Sequence, residues 1–230
     1  MRRSGYAGGA LVIAGLILLA GPPAWATDSV WVLDGNGSWT EPTHWSPKVP
    51  PDGPGDWALL DINLSQPITI TLDAPITLGT LLLADWNNMG MTLAPGTGGT
   101  LTFDGGGNDA EIVGFGRHEI QAPVTLAESL WLNNTDEGGL ALALGGRVAG
   151  GVGCDLVVEG LATDVTLTAP DNAIQGTVIV GPKDGRGGLV LAQDGRAPGV
   201  SHFEAHLGAT IWLDNLDAAV APSWPPRAPP

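Results

Sequence analysis

Asp104, Asp109 and Glu111 fall in one short stretch, a few residues ahead of Arg117 and His118. Carboxylates clustered on neighbouring positions could hold a calcium ion, which takes several oxygen ligands. Yet Asp104 and Asp109 flank Gly105-Gly-Gly-Asn108, where aspartate serves an ordinary turn. Catalysis is therefore not expected here, and weak calcium binding through Asp104, Asp109 and Glu111 is the most this group offers. Asp34-Gly-Asn-Gly-Ser38 starts like a calcium loop, but Trp39 takes the place of its turn glycine and Trp45 that of its closing carboxylate, so the loop fails. His202 and His206 would share a face for zinc only on a helix; on a strand they lie about 13 Å apart. No Gly-x-Ser-x-Gly phrase is present, and no glycine-rich phosphate loop opens a helix.

The remaining candidates are aromatic. In Leu130-Trp131-Leu132 and Ile211-Trp212-Leu213 the aliphatic residues face one way and each tryptophan the other. An outward tryptophan can stack on a sugar ring or seat another chain, whereas its bland role is to pack on a neighbouring loop. Leu130-Trp-Leu-Asn-Asn134 and Ile211-Trp-Leu-Asp-Asn215 lie 81 residues apart, close to four repeats of twenty. That spacing predicts Trp131 and Trp212 on a common side, roughly 19 Å apart, as candidate ligand-binding residues.

The elements that position these groups show a period. Gly79-Thr-Leu-Leu-Leu83, Gly99-Thr-Leu-Thr-Phe103, Gly139-Leu-Ala-Leu-Ala-Leu144, Gly188-Leu-Val-Leu191 and Gly208-Ala-Thr-Ile-Trp-Leu213 share one phrase at intervals near twenty, with no helical pattern between them. A repeat of that length made of short strands is what one coil of a β-solenoid needs. Segments such as Ile68-Thr-Ile-Thr-Leu72 and Val165-Thr-Leu167 alternate large aliphatics with small residues, giving a one-sided core. Leu82 and Leu142 are expected to point into it. Asn, Asp, Gly and Pro punctuate the chain at Asp85–Asn88, Asp104–Asn108 and Pro170–Asn172, as solenoid corners require. The expected fold is an all-β, right-handed parallel β-helix spanning 67–216. A tryptophan-rich N-terminal cap (27–66) shields its first strand edge, and a proline-rich disordered tail (217–230) follows.

The 35 glycines and 19 prolines among 230 residues exclude a helical protein. Residues 1–26 read as a secretory signal: Arg2-Arg3, an apolar run from Leu11 to Ala20, and Ala24-Trp-Ala26 as the cleavage site. No other apolar run is long enough to span a membrane, so the chain is expected outside the cell or on its surface. A formal net charge of −15 repels phosphate backbones and anionic lipid, so nucleic acid is not an expected partner. Cys154 is the only cysteine, so no intrachain disulfide forms, and it reads as a small buried hydrophobe.

Val165-Thr-Leu-Thr-Ala-Pro-Asp-Asn-Ala-Ile-Gln-Gly-Thr-Val-Ile-Val-Gly181, followed by Gly187-Gly-Leu-Val-Leu-Ala192 and Gly195-Arg-Ala-Pro198, resembles secreted bacterial proteins with autotransporter-associated β-strand repeats. Gly37-Ser-Trp39, His44-Trp-Ser46, Val49-Pro50 and Gly55-Asp-Trp-Ala58 are similar to the start of such proteins. Ala173-Ile-Gln175 stands where the family has threonine-tyrosine, a charged excursion over 181–188 replaces a tighter turn, and no barrel strands follow residue 215, so self-export is not implied. The resemblance implies a secreted passenger-like solenoid. Together these readings predict a surface structural or adhesion-type module without catalytic activity or an obligatory cofactor, in contact with extracellular polysaccharide or another surface protein. The alternatives are a polysaccharide-binding module built on the tryptophans and, because β-solenoids also host pectate-lyase-like enzymes, a degenerate polysaccharide lyase.

Overall fold

The computed structural model describes residues 26–134, 138–160, 162–181, 188–192, 200, 202–206 and 208–214. The expected signal segment before Ala26 and the proline-rich tail lie outside the described residues. Within them the chain is nearly all strand and forms a parallel β-solenoid of about six turns.

An N-terminal segment supplies β1 (Asp28–Trp31), β2 (Gly37–Ser38), a short 3-10 turn (Pro42–His44) and β3 (Trp45–Ser46). The first full coil is β4 (Trp57–Asp61), β5 (Ile68–Leu72) and β6 (Pro75–Leu78). The second is β7 (Thr80–Ala84), β8 (Met91–Pro95) and β9 (Thr100–Phe103). In the third, β10 (Ala110–Ile120) runs unbroken around the first corner and β11 (Val124–Leu126) completes the coil. Next come β12 (Leu130–Asn134), β13 (Leu140–Leu144) and β14 (Val148–Gly150), then β15 (Leu156–Val158), β16 (Thr163–Leu167) and β17 (Ala173–Ile174). The last described coils contribute β18 (Thr177–Val180), β19 (Gly188–Ala192), β20 (His202–Ala205) and β21 (Thr210–Asp214). Stacked coils make three parallel sheets. Sheet A contains β1, β4, β7, the first half of β10, β12, β15, β18 and β20. Sheet B contains β2, β5, β8, the second half of β10, β13, β16, β19 and β21. Sheet C contains β6, β9, β11, β14 and β17.

Register aligns the inward side chains in columns. Ile68, Met91, His118, Leu142, Val165, Leu189 and Ile211 follow one another up sheet B, and Leu78, Phe103 and Leu126 up sheet C. Most are completely buried, each contributing about 2 to 3 kcal/mol by area. That repeated gain offsets the ordering entropy of a chain with no disulfide.

Two expectations need correction. The interval of twenty is not the coil length. Gly79 heads a sheet A strand and Gly99 a sheet C strand of the same coil. True coil lengths follow the register: Glu111 pairs with Trp131 after 20 residues, whereas Thr80 pairs with Glu111 only after 31. Corners of different length absorb the difference, as β-solenoids permit insertions between rungs. Leu82 does not fill the bore either: Leu81 and Leu83 are buried and Leu82 lies between them on the outer side. Three leucines in a row carry no alternation to set the phase.

The N-terminal edge is closed by aromatic packing. β3 runs antiparallel to β1 across the rim of sheet A. Trp31, Trp39 and Trp45 are buried, with ring centroids 5.2 Å apart between Trp31 and Trp45 and 4.7 Å between Trp39 and Trp45. Each indole N–H donates to a backbone carbonyl: Trp31 to Leu33 at 2.7 Å, Trp39 to Pro51 at 3.0 Å and Trp45 to Trp39 at 2.6 Å. Three large rings are thus buried with no N–H left unpartnered.

Candidate functional site

Threonine and alanine dominate much of the outer surfaces of sheets B and C. Thr77, Thr102, Thr125 and Ala149 form one outer column of sheet C, and Thr69, Thr92, Glu119, Ala143 and Thr166, followed by Val190, one of sheet B. Sheet A is different. Val30, Leu59, Leu82 and Val113 stand one above another on its outside. Beside them runs the column Trp57, Thr80, Glu111, Trp131 and Val157. The phase is set from within: Ala58, Leu60, Leu81, Leu83, Ile112, Leu130 and Leu132 are the buried partners on the inner face, so their neighbours must face out. Trp57 is 50% exposed.

The borders of this face are fixed by hydrogen bonds. At the corner from sheet A to sheet B, the buried carboxylate of Asp85 accepts backbone N–H bonds from Leu64, Asn87, Met89 and Gly90. That corner carries Trp86, whose ring lies 4.5 Å from that of Phe115. On the opposite border, Trp131 Nε1 donates to Asp109 Oδ2 at 3.0 Å. Glu128 holds the adjacent turn by accepting from the Gly105 and Gly107 N–H groups. A hollow of about 160 Å³ lies on the face itself, lined by Trp57, Leu59, Thr80, Leu82, Glu111 and Val113. An open recess of about 580 Å³ lies at the Asp109 border, lined in part by Asn108, Glu128, Val152 and Cys154.

The carboxylates singled out from the sequence are not gathered into a ligand set. Asp104 accepts the Gly106 N–H, Asp109 holds the Trp131 indole, and Glu111 sits on the outer column between Thr80 and Trp131. Arg117 points outward on sheet B, while His118, next to it, points inward. No three His, Cys, Asp or Glu side chains come together as a metal site among the described residues. Burial pushes the pKa of His118 below its ordinary value, opposed by its bond to the Phe115 carbonyl and by the charge of Asp85. His202 lies on a strand, and His206 beyond its end pairs with Glu204 at 2.9 Å. Cys154 is half-buried, its thiol donating to the Ala127 carbonyl at 3.4 Å.

Trp131 faces out as its flanking leucines imply. The expected pairing with Trp212 fails: Trp131 belongs to sheet A, whereas the backbone of Trp212 pairs with Val190 in sheet B. The partner of Trp131 along its own column is Trp57, which sequence reasoning assigned to the cap. The missed signal was the phase of Trp57-Ala-Leu-Leu60, where Ala58 and Leu60 face inward and Trp57 must face out. Comparison with family models, with curated proteins and with solved structures finds no match.

Proposed function

We propose that this chain is a non-catalytic β-solenoid of the passenger type, exported by its N-terminal signal, that works outside the cell or on its surface as a contact module. The observation that carries this reading is the asymmetry of the three outer faces: sheet A presents Trp57, Leu59, Leu82 and Val113 to the outside, while threonine and alanine predominate on the outer columns of sheets B and C. Large outward apolar side chains on one face of a soluble protein mark an interaction surface. Absence of a long apolar helix among the described residues is compatible with export. Arg117 faces outward on sheet B, whereas Asp109 holds the Trp131 indole beside sheet A, a placement that favours the non-catalytic reading over the lyase one.

The test uses the full chain incubated with insoluble cell-envelope material. Retention in the pellet is expected, lost in Leu82→Glu on sheet A and kept in Thr125→Glu on sheet C. Equal loss in both variants, or none in either, would overturn the assignment of sheet A. Incubation with pectin and calcium is expected to release no unsaturated product; its release would restore the lyase reading.

A further inference from the structure

We propose that the outer face of sheet A takes an uncharged, hydroxyl-rich polysaccharide laid along the column from Trp57 to Trp131. This rests on the reading of that face as the contact surface and names its ligand class.

Geometry supplies the first argument. Trp57 and Trp131 lie three rungs apart in register, about 14 Å by strand spacing. Rings at both ends of a column suit a chain ligand better than a compact one. Trp131 is held in orientation by Asp109, so its ring needs little ordering on binding. Between the rings stand Thr80 and Glu111, a hydroxyl and a carboxylate that can accept from sugar hydroxyls. They border the 160 Å³ hollow, whose floor is Leu59, Leu82 and Val113. An apolar floor with a few polar groups at the rim matches a pyranose, which has C–H faces and hydroxyl edges.

Charge decides between ligands. With a net charge of −15 on the whole chain and Glu111 and Asp109 on or beside the column, a polyanionic glycan is repelled. A second copy of the chain fits less well. Face-to-face packing would bury Glu111 in the centre of an apolar interface, where charged residues are depleted and costly. A glycan strand leaves that carboxylate in contact with water and with hydroxyl donors.

The experiment is affinity electrophoresis of the full chain through gels containing hydroxyethylcellulose, glucomannan, galactomannan or polygalacturonate. At least one neutral glycan is expected to retard it. Trp57→Ala and Trp131→Ala should each weaken that retardation roughly tenfold, while circular dichroism shows both variants still folded at the temperature of the gel. Trp131→Phe, which keeps a ring but drops the N–H to Asp109, should fall between wild type and Trp131→Ala. Retardation by polygalacturonate alone, by no neutral glycan, or by a neutral glycan as strongly in both alanine variants as in wild type would overturn the proposal. If envelope retention survives without glycan binding and Leu82→Glu still abolishes it, the contact face stands and the glycan assignment falls. A dimer in sedimentation that Leu82→Glu splits would assign the face to a second copy instead.

Discussion

Met91 donates its backbone N–H to Nδ1 of His118 at 3.3 Å, across neighbouring coils of sheet B. That bond leaves Nδ1 without a proton, so Nε2 carries it and donates to the Phe115 carbonyl at 2.8 Å. His118 is thus a neutral imidazole within an apolar column, stacked in register between Met91 and Leu142, and protonating it would place a charge in the bore.

The pH dependence follows. Burial lowers the folded-state pKa of His118 beneath its ordinary value of 6.5, so the unfolded chain takes up the proton first. The stability this residue supports is present above about pH 6.5 and is lost as pH falls through the lowered folded-state value. The thermal midpoint should drop as the pH is lowered through and below the ordinary histidine value, and by less in His118→Gln, which keeps a donor and an acceptor but does not titrate. Parallel midpoint curves for the two proteins would remove His118 as the cause.

Leu142 and Leu82 separate the inside of the solenoid from its outside. Leu142 is 1% exposed within the sheet B column, and Leu142→Ala should cost about 2 to 5 kcal/mol. Leu82, half-buried on the outer face, should cost about 1 kcal/mol or less on the same substitution. Urea unfolding of the two variants measures the difference; equal losses would place both side chains in the bore.

That contrast marks what the sequence could and could not convey. Where threonines separate the aliphatics, as in Ile68-Thr-Ile-Thr-Leu72, alternation set the phase and the burial agrees residue by residue. In Leu81-Leu-Leu83 nothing local distinguished in from out. Gly79 and Gly99 head similar strands, yet they belong to different sheets of one coil. A strand's sheet depends on how many corners precede it, and corner lengths are not periodic. The outward face of Trp131 was legible from its two leucines, but its neighbour along the column was not, because Trp57 and Trp131 come together only through the registers of β7 and β10. The carboxylate cluster looked compact in sequence because β10 passes from sheet A to sheet B through Gly114 and Gly116, which turns Arg117 and His118 away from Asp109.

Asn172 ties two coils together from within a corner. It is completely buried; its Oδ1 accepts the Val148 N–H at 2.8 Å and its Nδ2 donates to the Ala169 carbonyl at 2.7 Å. Asn172→Ala leaves two buried backbone groups without partners, and a loss of about 1 to 3 kcal/mol is expected. Chemical denaturation checks the magnitude, and amide exchange should show Val148 losing protection first. An unchanged midpoint would mean that water replaces the side chain in the corner.

Trp39 tests the cap. Its ring is buried against Trp45, and its backbone N–H donates to the Thr71 carbonyl of β5, so the ring closes the N-terminal end over sheet B. Trp39→Ala should cost about 3 to 5 kcal/mol. The loss has a second consequence, because loosening β1 and β3 uncovers the edge of β4, a row of backbone donors and acceptors ready to pair with another chain. Light scattering at rising protein concentration should therefore show soluble oligomers or aggregates in Trp39→Ala but not in Leu142→Ala, even though both are destabilised. If Leu142→Ala aggregates to the same degree, association follows from lost stability in general, and the tryptophans have no special part in protecting the edge.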